Sequence, residues 1–168
     1  VEGLCRTIRS LGAPVFAIPG NHDRAFLREP DRVAAACRDT GGEWLVDREA
    51  LVSGGGVQIV GRYWENATIP PKPDGAARRI LLTHFPTYVE RIPGETFDLV
   101  CAGHSHGGQI RLPLIGPLYL PDRVGRYVMG MYDSPAGPLY VNPGLGTFDV
   151  RGISARFLCR PEITVIET

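Results

Sequence analysis

The sequence predicts a layered α/β domain, and two features of its 168 residues support that prediction. Helical patterns alternate with short apolar strands in the first part of the chain, and a run of strand patterns follows. The histidines lie at or just beyond the ends of predicted apolar strands, which is where open α/β sheets present ligands and catalytic groups. We therefore expect one domain over residues 1–168 whose sheet carries functional loops at its strand ends.

The first elements are predicted from apolar spacing and turn residues. Apolar residues recur at helical spacing over residues 1–11, and a glycine follows where the helix should end. Residues 14–18 form a short apolar strand that leads into the sequence Gly-Asn-His-Asp at 20–23. Residues 31–40 predict a second helix, because Pro30 stands near its start and two glycines follow its end.

Strands predominate in the rest of the chain. Short β-rich stretches are separated by polar or glycine-rich turns, and the later ones are typical of hairpins. Two of the predicted strands end at histidines, 79–83 before His84 and 97–102 before Gly103 and His104. The other predicted strands are 44–47, 50–53, 57–61, 127–131, 139–142, 155–158 and 163–166.

Composition argues against several classes of protein. Lysine plus arginine and aspartate plus glutamate both number 18, so we expect no nucleic-acid partner. No apolar run approaches the roughly 18 residues of a membrane span, and no secretory signal is visible. The chain has no G-x-G-x-x-G or Walker pattern, so no nucleotide cofactor is expected. Its four cysteines form no C-x-x-C pair, which favours buried reduced thiols over a zinc ribbon.

The four histidines are the strongest functional signal. His22, His84, His104 and His106 each lie at or just beyond the end of a predicted strand, among small or turn-forming residues. Neutral imidazole is a ligand for Zn, Mn or Fe ions, and Asn21 can offer its carbonyl oxygen. His104 and His106 are two residues apart, so in an extended segment they could share a face and reach one metal centre or two adjacent ones.

Neighbouring residues fit the same chemistry. Asp23 follows His22 directly, so its carboxylate could accept a ring N–H and hold a catalytic imidazole in one tautomer. Gly103, Gly107 and Gly108 would let the backbone turn sharply beside a metal. The pattern therefore predicts a metal site with an adjoining acid–base histidine.

These motifs resemble, in their order, the calcineurin-like metallophosphoesterase family. The family pattern is D-x-H, G-D, G-N-H-[D/E], a lone histidine after an apolar strand, and G-H-x-H. Here residues 20–23, His84 and residues 103–106 match the last three motifs. The stretch 103–121 and the ending R-P-E-I-T-V-I look most like a bacterial branch that acts on lipid-linked phosphoesters at membranes.

The resemblance implies a four-layer α/β/β/α sandwich and a two-metal phosphoester hydrolase, either a phosphodiesterase or a pyrophosphatase-like enzyme. It assigns Asn21, His84 and His104 to one divalent ion and His106 to the other. The ions would be Mn, Fe or Zn, since all three tolerate a histidine-rich site that includes asparagine.

The resemblance also implies a mechanism and a location. A hydroxide that bridges the two ions would attack phosphorus, and His22 would act as general acid with Asp23 as its orienter. The substrate would be a small-molecule or lipid-linked phosphoester. The protein would then be cytoplasmic or peripheral to the inner membrane, and it could make peripheral contact with a membrane.

One part of the family pattern is missing. No D-x-H occurs in the chain, and no G-D precedes Gly20. Loss of the N-terminal strands explains the gap better than degeneration of the motifs. We therefore expect the chain to be the C-terminal part of a longer metallophosphoesterase domain, lacking its first strands and inactive alone. A substitute carboxylate from Asp149 or Asp133 is the alternative.

Two alternatives to the enzyme stay open. The chain could be a non-catalytic phosphate- or metal-binding module that retains half of the metal site, or a mononuclear metal-storage or metal-sensing domain. D-x-H and G-D motifs upstream of residue 1 would favour the enzyme.

The apolar segment 110–121 is either a wall beside the active site that accepts an apolar group or a hairpin covered in the core.

Overall fold

A computed structural model of the chain describes residues 1–52, 56–63, 68–92, 94, 96–149, 152 and 154–167. The chain divides into two compact units, Val1–His84 and Phe85–Thr168. Helices and strands both occur, so the predicted α/β class is confirmed. The expectation of a single domain over residues 1–168 stays a prediction.

Helices α1 (Glu2–Ser10) and α3 (Pro30–Asp39) pack against each other in the first unit. Cys5 and Ile8 of α1 are buried in one cluster with Val33, Ala36 and Cys37 of α3. Both helices lie within one residue of the ranges predicted from apolar spacing. A shorter helix, α2 (Asn21–Phe26), begins inside the G-N-H-D sequence and was not predicted.

Two sets of strands complete the first unit. Strands β1 (Phe16–Ala17) and β2 (Glu43–Trp44) pair in parallel. Strand β4 (Val57–Arg62) pairs antiparallel with β3 (Glu49–Val52) and parallel with β5 (Arg78–Thr83). The predicted end of β3, Ser53, lies outside the described residues. Because β4 and β5 are parallel, the residues that follow them emerge at the same edge.

The second unit is built mainly from strands. Strand β10 (Gly137–Val141) pairs in parallel with β6 (Leu99–Ala102) and antiparallel with β9 (Gly130–Ser134). A small hairpin joins β7 (Arg111–Leu112) to β8 (Gly116–Pro117). Short 3-10 helices occur at Pro86–Arg91 and His106–Gly108, and fully buried Val100, Leu139 and Val141 contribute to the core.

Two strands predicted near the C-terminus do not form within residues 154–167. In place of the strand predicted over 155–158, the structure has one isolated bridge between Phe157 and Ile110. Residues 163–166 form no ladder, because the side chains of Glu162 and Thr164 attach this segment to β10 and the residue after it. Alternating apolar residues form a strand only where a partner backbone is available.

The strand predicted over 127–131 begins later, at Gly130. Tyr127 is buried, and the N–H groups of Val128 and Met129 donate to the hydroxyl of Tyr132. That hydroxyl takes the place of a neighbouring strand, so residues 127–129 stay outside the ladder.

The apolar segment 110–121 lies largely at the surface, so its alternative as a hairpin covered in the core is wrong. Its tip residue Leu114 is fully exposed, and Ile115, Leu118 and Tyr119 are at least half exposed. Among the residues that the structure describes, no helix is long and apolar enough to cross a membrane.

Candidate functional site

The structure brings Asn21 and His84 together in the first unit. Asn21 opens α2, and His84 directly follows β5. His84 Nε2 lies 2.8 Å from Asn21 Oδ1. Because an amide oxygen only accepts hydrogen bonds, His84 carries a proton on Nε2 in this contact. Two of the predicted metal ligands are therefore neighbours across 63 positions of sequence.

Gly20 makes the close approach of His84 possible. A Cβ atom at residue 20 would lie 2.9 Å from His84 Cε1 and 3.2 Å from His84 Nδ1, closer than ordinary van der Waals contact. The φ angle of Gly20 is −92°, which any residue can adopt. The glycine of G-N-H-D is therefore required for space and not for backbone freedom.

Asp23 fixes the first turn of α2. Its Oδ2 accepts a hydrogen bond from the Gly20 N–H at 2.7 Å, which satisfies a donor at the helix start. The carboxylate thereby holds the turn that carries Asn21 and His22. The predicted role of Asp23 as orienter of His22 stays a prediction.

His22 is exposed on the same turn, and its ring stacks on Phe26 with centroids 5.9 Å apart. An exposed imidazole one residue from a candidate metal ligand has the access that a general acid needs. Its catalytic role stays a prediction.

The loop after β6 turns through the left-handed region of backbone space. The φ angles of His104 and His106 are 66° and 49°, and those of Gly107 and Gly108 are 62° and 78°. The segment is therefore not extended, so the condition under which the two histidines could share a face is not met. Positive φ is uncommon outside glycine, and such strain clusters at functional sites.

Local contacts hold this loop in place. The hydroxyl of buried Ser105 accepts the Gly107 N–H at 3.1 Å, and its carbonyl accepts the Gly108 N–H at 2.9 Å. A Cβ at Gly107 would lie 2.6 Å from Cys159 Sγ, and one at Gly108 would lie 2.2 Å from Pro117 Cβ. Both glycines are needed for space as well as for their positive φ.

His104 and His106 each pack against an aromatic ring of the second unit. His104 meets Phe85 edge-on at 4.6 Å, and its Nε2 donates to the Asp122 carbonyl at 2.9 Å. His106 meets Phe148 at 4.8 Å. These contacts restrict the orientation of both rings. Their assignment to metals stays a prediction.

The donor atoms of Asn21 and His84 fit a divalent ion. Two ligands at roughly 2.1 Å from one ion and at right angles are about 3 Å apart, close to the distance observed here. Imidazole nitrogen and amide oxygen both suit Mn, Fe or Zn. An ion at Nε2 would displace its proton. Within the described ranges, no group of three or more His, Cys, Asp or Glu residues could hold a metal.

Several contacts at the site were not predicted from the sequence. Phe85 packs on His104, and the available signal in the sequence was its place in T-H-F-P, directly after His84. The Asp122 carbonyl gave no signal, because any residue presents a carbonyl and the contact crosses 18 positions. Phe148 gave none either, since its packing on His106 depends on the fold of the second unit.

The two candidate substitute carboxylates differ in their surroundings. Asp149 Oδ1 accepts the Gly152 N–H at 2.9 Å, which stabilises a local turn. Asp133 lies on β9 opposite Pro138. Their role as substitute ligands stays a prediction.

Comparison with known proteins agrees with the family resemblance seen in the sequence motifs. The calcineurin-like phosphoesterase family matches residues 2–108. The chain is 32% identical over 161 residues to the phosphodiesterase YaeI of Escherichia coli K12, covering 92% of this chain and 58% of that protein. It is 42% identical over 86 residues to the uncharacterized metallophosphoesterase YkuE of Bacillus subtilis, covering 51% of this chain and 29% of that one. The chain therefore spans less than two thirds of these relatives. No solved structure matches it significantly.

Proposed function

The chain belongs to the calcineurin-like phosphoesterase family, and from this membership we propose that it carries part of the active site of a metal-dependent phosphodiesterase. The observation that supports the proposal most is the pairing of Asn21 Oδ1 with His84 Nε2 at 2.8 Å. This pair joins two of the family motifs in space and presents donor atoms that suit a divalent ion.

Each residue of the first unit has a distinct part in this proposal. Asn21 and His84 hold an ion, Gly20 leaves room for the imidazole, and Asp23 fixes the turn. His22 donates a proton to the leaving oxygen. Bound divalent ions supply positive charge for the phosphoryl oxygens and make a water molecule more acidic.

The remaining ligands come from the family resemblance. It adds His104 to the ion held by Asn21 and His84, and it places His106 on a second ion, with Mn, Fe or Zn at both positions. The family pattern also includes D-x-H and G-D, which the 168 residues do not contain. With His106 as its only assigned ligand, a second ion would be held weakly, because tight sites use about three or four protein ligands.

A membrane-facing substrate is supported by the exposed hairpin of the second unit. Leu114, Ile115, Leu118 and Tyr119 are exposed apolar side chains close together in sequence, and exposed apolar patches mark contacts with other proteins or with membranes. We propose that these side chains contact the inner membrane and that the substrate is a lipid-linked phosphoester. Sedimentation with anionic vesicles tests the contact: Leu114→Asp should weaken it, while equal binding by both proteins would contradict it.

The proposed phosphodiesterase activity is tested in a polypeptide that carries D-x-H and G-D motifs ahead of residues 1–168. We expect hydrolysis of bis(p-nitrophenyl) phosphate that requires added Mn, Fe or Zn and is lost in His84→Ala. Metal binding without hydrolysis of any phosphodiester or phosphomonoester would instead favour the non-catalytic module or the metal-sensing domain.

A further inference from the structure

A cavity of about 300 Å³ lies in the first unit beside α2. Its walls are largely apolar and include Leu27, Pro30, Trp44, Val46 and Tyr63. Trp44 ends β2, and Tyr63 directly follows β4. The cavity therefore lies at the carboxyl ends of strands, where α/β folds bind their ligands.

The polar part of the lining comes from α2. The Arg24 guanidinium lies over the Tyr63 ring, with Cζ 5.7 Å from the ring centroid. Asp23 also lines the cavity, and its carboxylate accepts the Gly20 N–H. The lining therefore combines apolar walls with two charged side chains of opposite sign, and it suits a ligand that has an apolar body and a polar group.

The cavity adjoins the pair formed by Asn21 and His84. Gly20 connects them, because its added Cβ would lie 2.9 Å from His84 Cε1 and 3.3 Å from Asp23 Oδ2. Strands β4 and β5 give a second connection between the cavity and His84. Arg62 and Thr83 are partners in the parallel register of β4 and β5, so Tyr63 and His84 follow neighbouring strand ends.

We propose that this cavity binds one ring-sized apolar ester group of the substrate while the phosphate lies beside Asn21 and His84. The inference rests on the proposed function and adds that one of the two ester groups of the phosphodiester is aromatic or similarly compact and apolar. The volume is at the low end for ligand pockets, which admits a ring but not a long acyl chain.

Binding of two inert probes to residues 1–168 tests the inference without relying on turnover. Diphenyl phosphate and dimethyl phosphate carry the same charge and differ in their apolar groups. We expect diphenyl phosphate to bind at least about tenfold more tightly in titrations followed by NMR, which corresponds to burial of roughly 55 Å² of apolar surface.

Val46→Asn is the informative variant. Val46 lines the cavity and is 44% exposed, so the substitution adds a polar group to the wall without opening the core. It should bring the affinity ratio of the two probes down to about threefold or less. Leu11→Asn is the matched control, since Leu11 is a 60% exposed apolar residue at the end of α1, outside the cavity lining.

The outcomes separate this inference from the proposed function. Equal affinity for the two probes, no detectable diphenyl phosphate binding, or a ratio that Val46→Asn leaves unchanged would overturn the cavity assignment even if phosphodiesters are hydrolysed. A tenfold ratio that depends on Val46, in a protein that hydrolyses no phosphodiester, would keep the binding site and remove the proposed activity.

Discussion

Replacing Gly20 with alanine should weaken metal binding without unfolding the protein. The added Cβ would stand 2.9 Å from His84 Cε1, and ordinary contact begins at 3.4 Å, so the two groups must separate by about 0.5 Å. That shift acts on an imidazole whose Nε2 lies 2.8 Å from Asn21 Oδ1. Disturbing the support of a metal-binding histidine typically costs about 10–100-fold in metal affinity, and we expect a loss in that range.

Competition against a chromophoric chelator measures the affinity for Mn and Zn. Gly3→Ala is the control, because nothing lies within 4 Å of a Cβ at Gly3 and the residue is on α1. Alanine there should leave the affinity unchanged and slightly raise the melting temperature. In the metal-free protein, NMR signals of the His84 ring should move in Gly20→Ala and stay in place in Gly3→Ala.

An unchanged metal affinity and unchanged His84 signals in Gly20→Ala would refute the reasoning. The glycine would then have some other function in the motif, and the close approach of His84 would not matter for binding.

Three further predictions concern catalysis, specificity and a partly buried thiol. In the polypeptide that includes D-x-H and G-D, His22→Gln should lower kcat by about 10²–10⁴-fold and leave the metal content nearly unchanged, as expected for loss of a general acid; loss of metal, measured by elemental analysis, would reverse that assignment. If the exposed segment 110–121 accepts an acyl chain, an acylated phosphodiester should show a higher kcat/KM than its deacylated form, and equal values would remove that role. Burial raises the pKa of the Cys101 thiol to about 11 from 9.0, so the thiol is neutral at pH 8. Its contribution to stability should therefore fall by about 2 kcal/mol between pH 9 and 11, and urea unfolding of Cys101→Ala should lack that loss.

Sequence patterns predicted the elements whose signals are local. The spacing of Cys5 and Ile8, and Pro30 at the start of α3, located two helices to within one residue at each end. The apolar run before His84 located β5 equally well, since a parallel strand beside β4 buries alternate residues. The pairing of Asn21 with His84 followed from the family resemblance.

Other features depend on partners that the sequence does not reveal. The segment 163–166 alternates like a strand, but its neighbours attach through side chains. The left-handed turn at His104 and His106 depends on the Ser105 hydrogen bonds and on the close approach of Cys159 to Gly107. None of these contacts has a signal within a short window of residues.

The number of divalent ions bound per chain, measured by elemental analysis beside phosphodiester turnover, tests the central claim most directly. For residues 1–168, we expect at most one ion, weakly held and lost in His84→Ala, together with turnover barely above background. Two tightly bound ions with full turnover, or one ion that His84→Ala retains, would contradict the claim that Asn21 and His84 form half of a phosphodiesterase metal site.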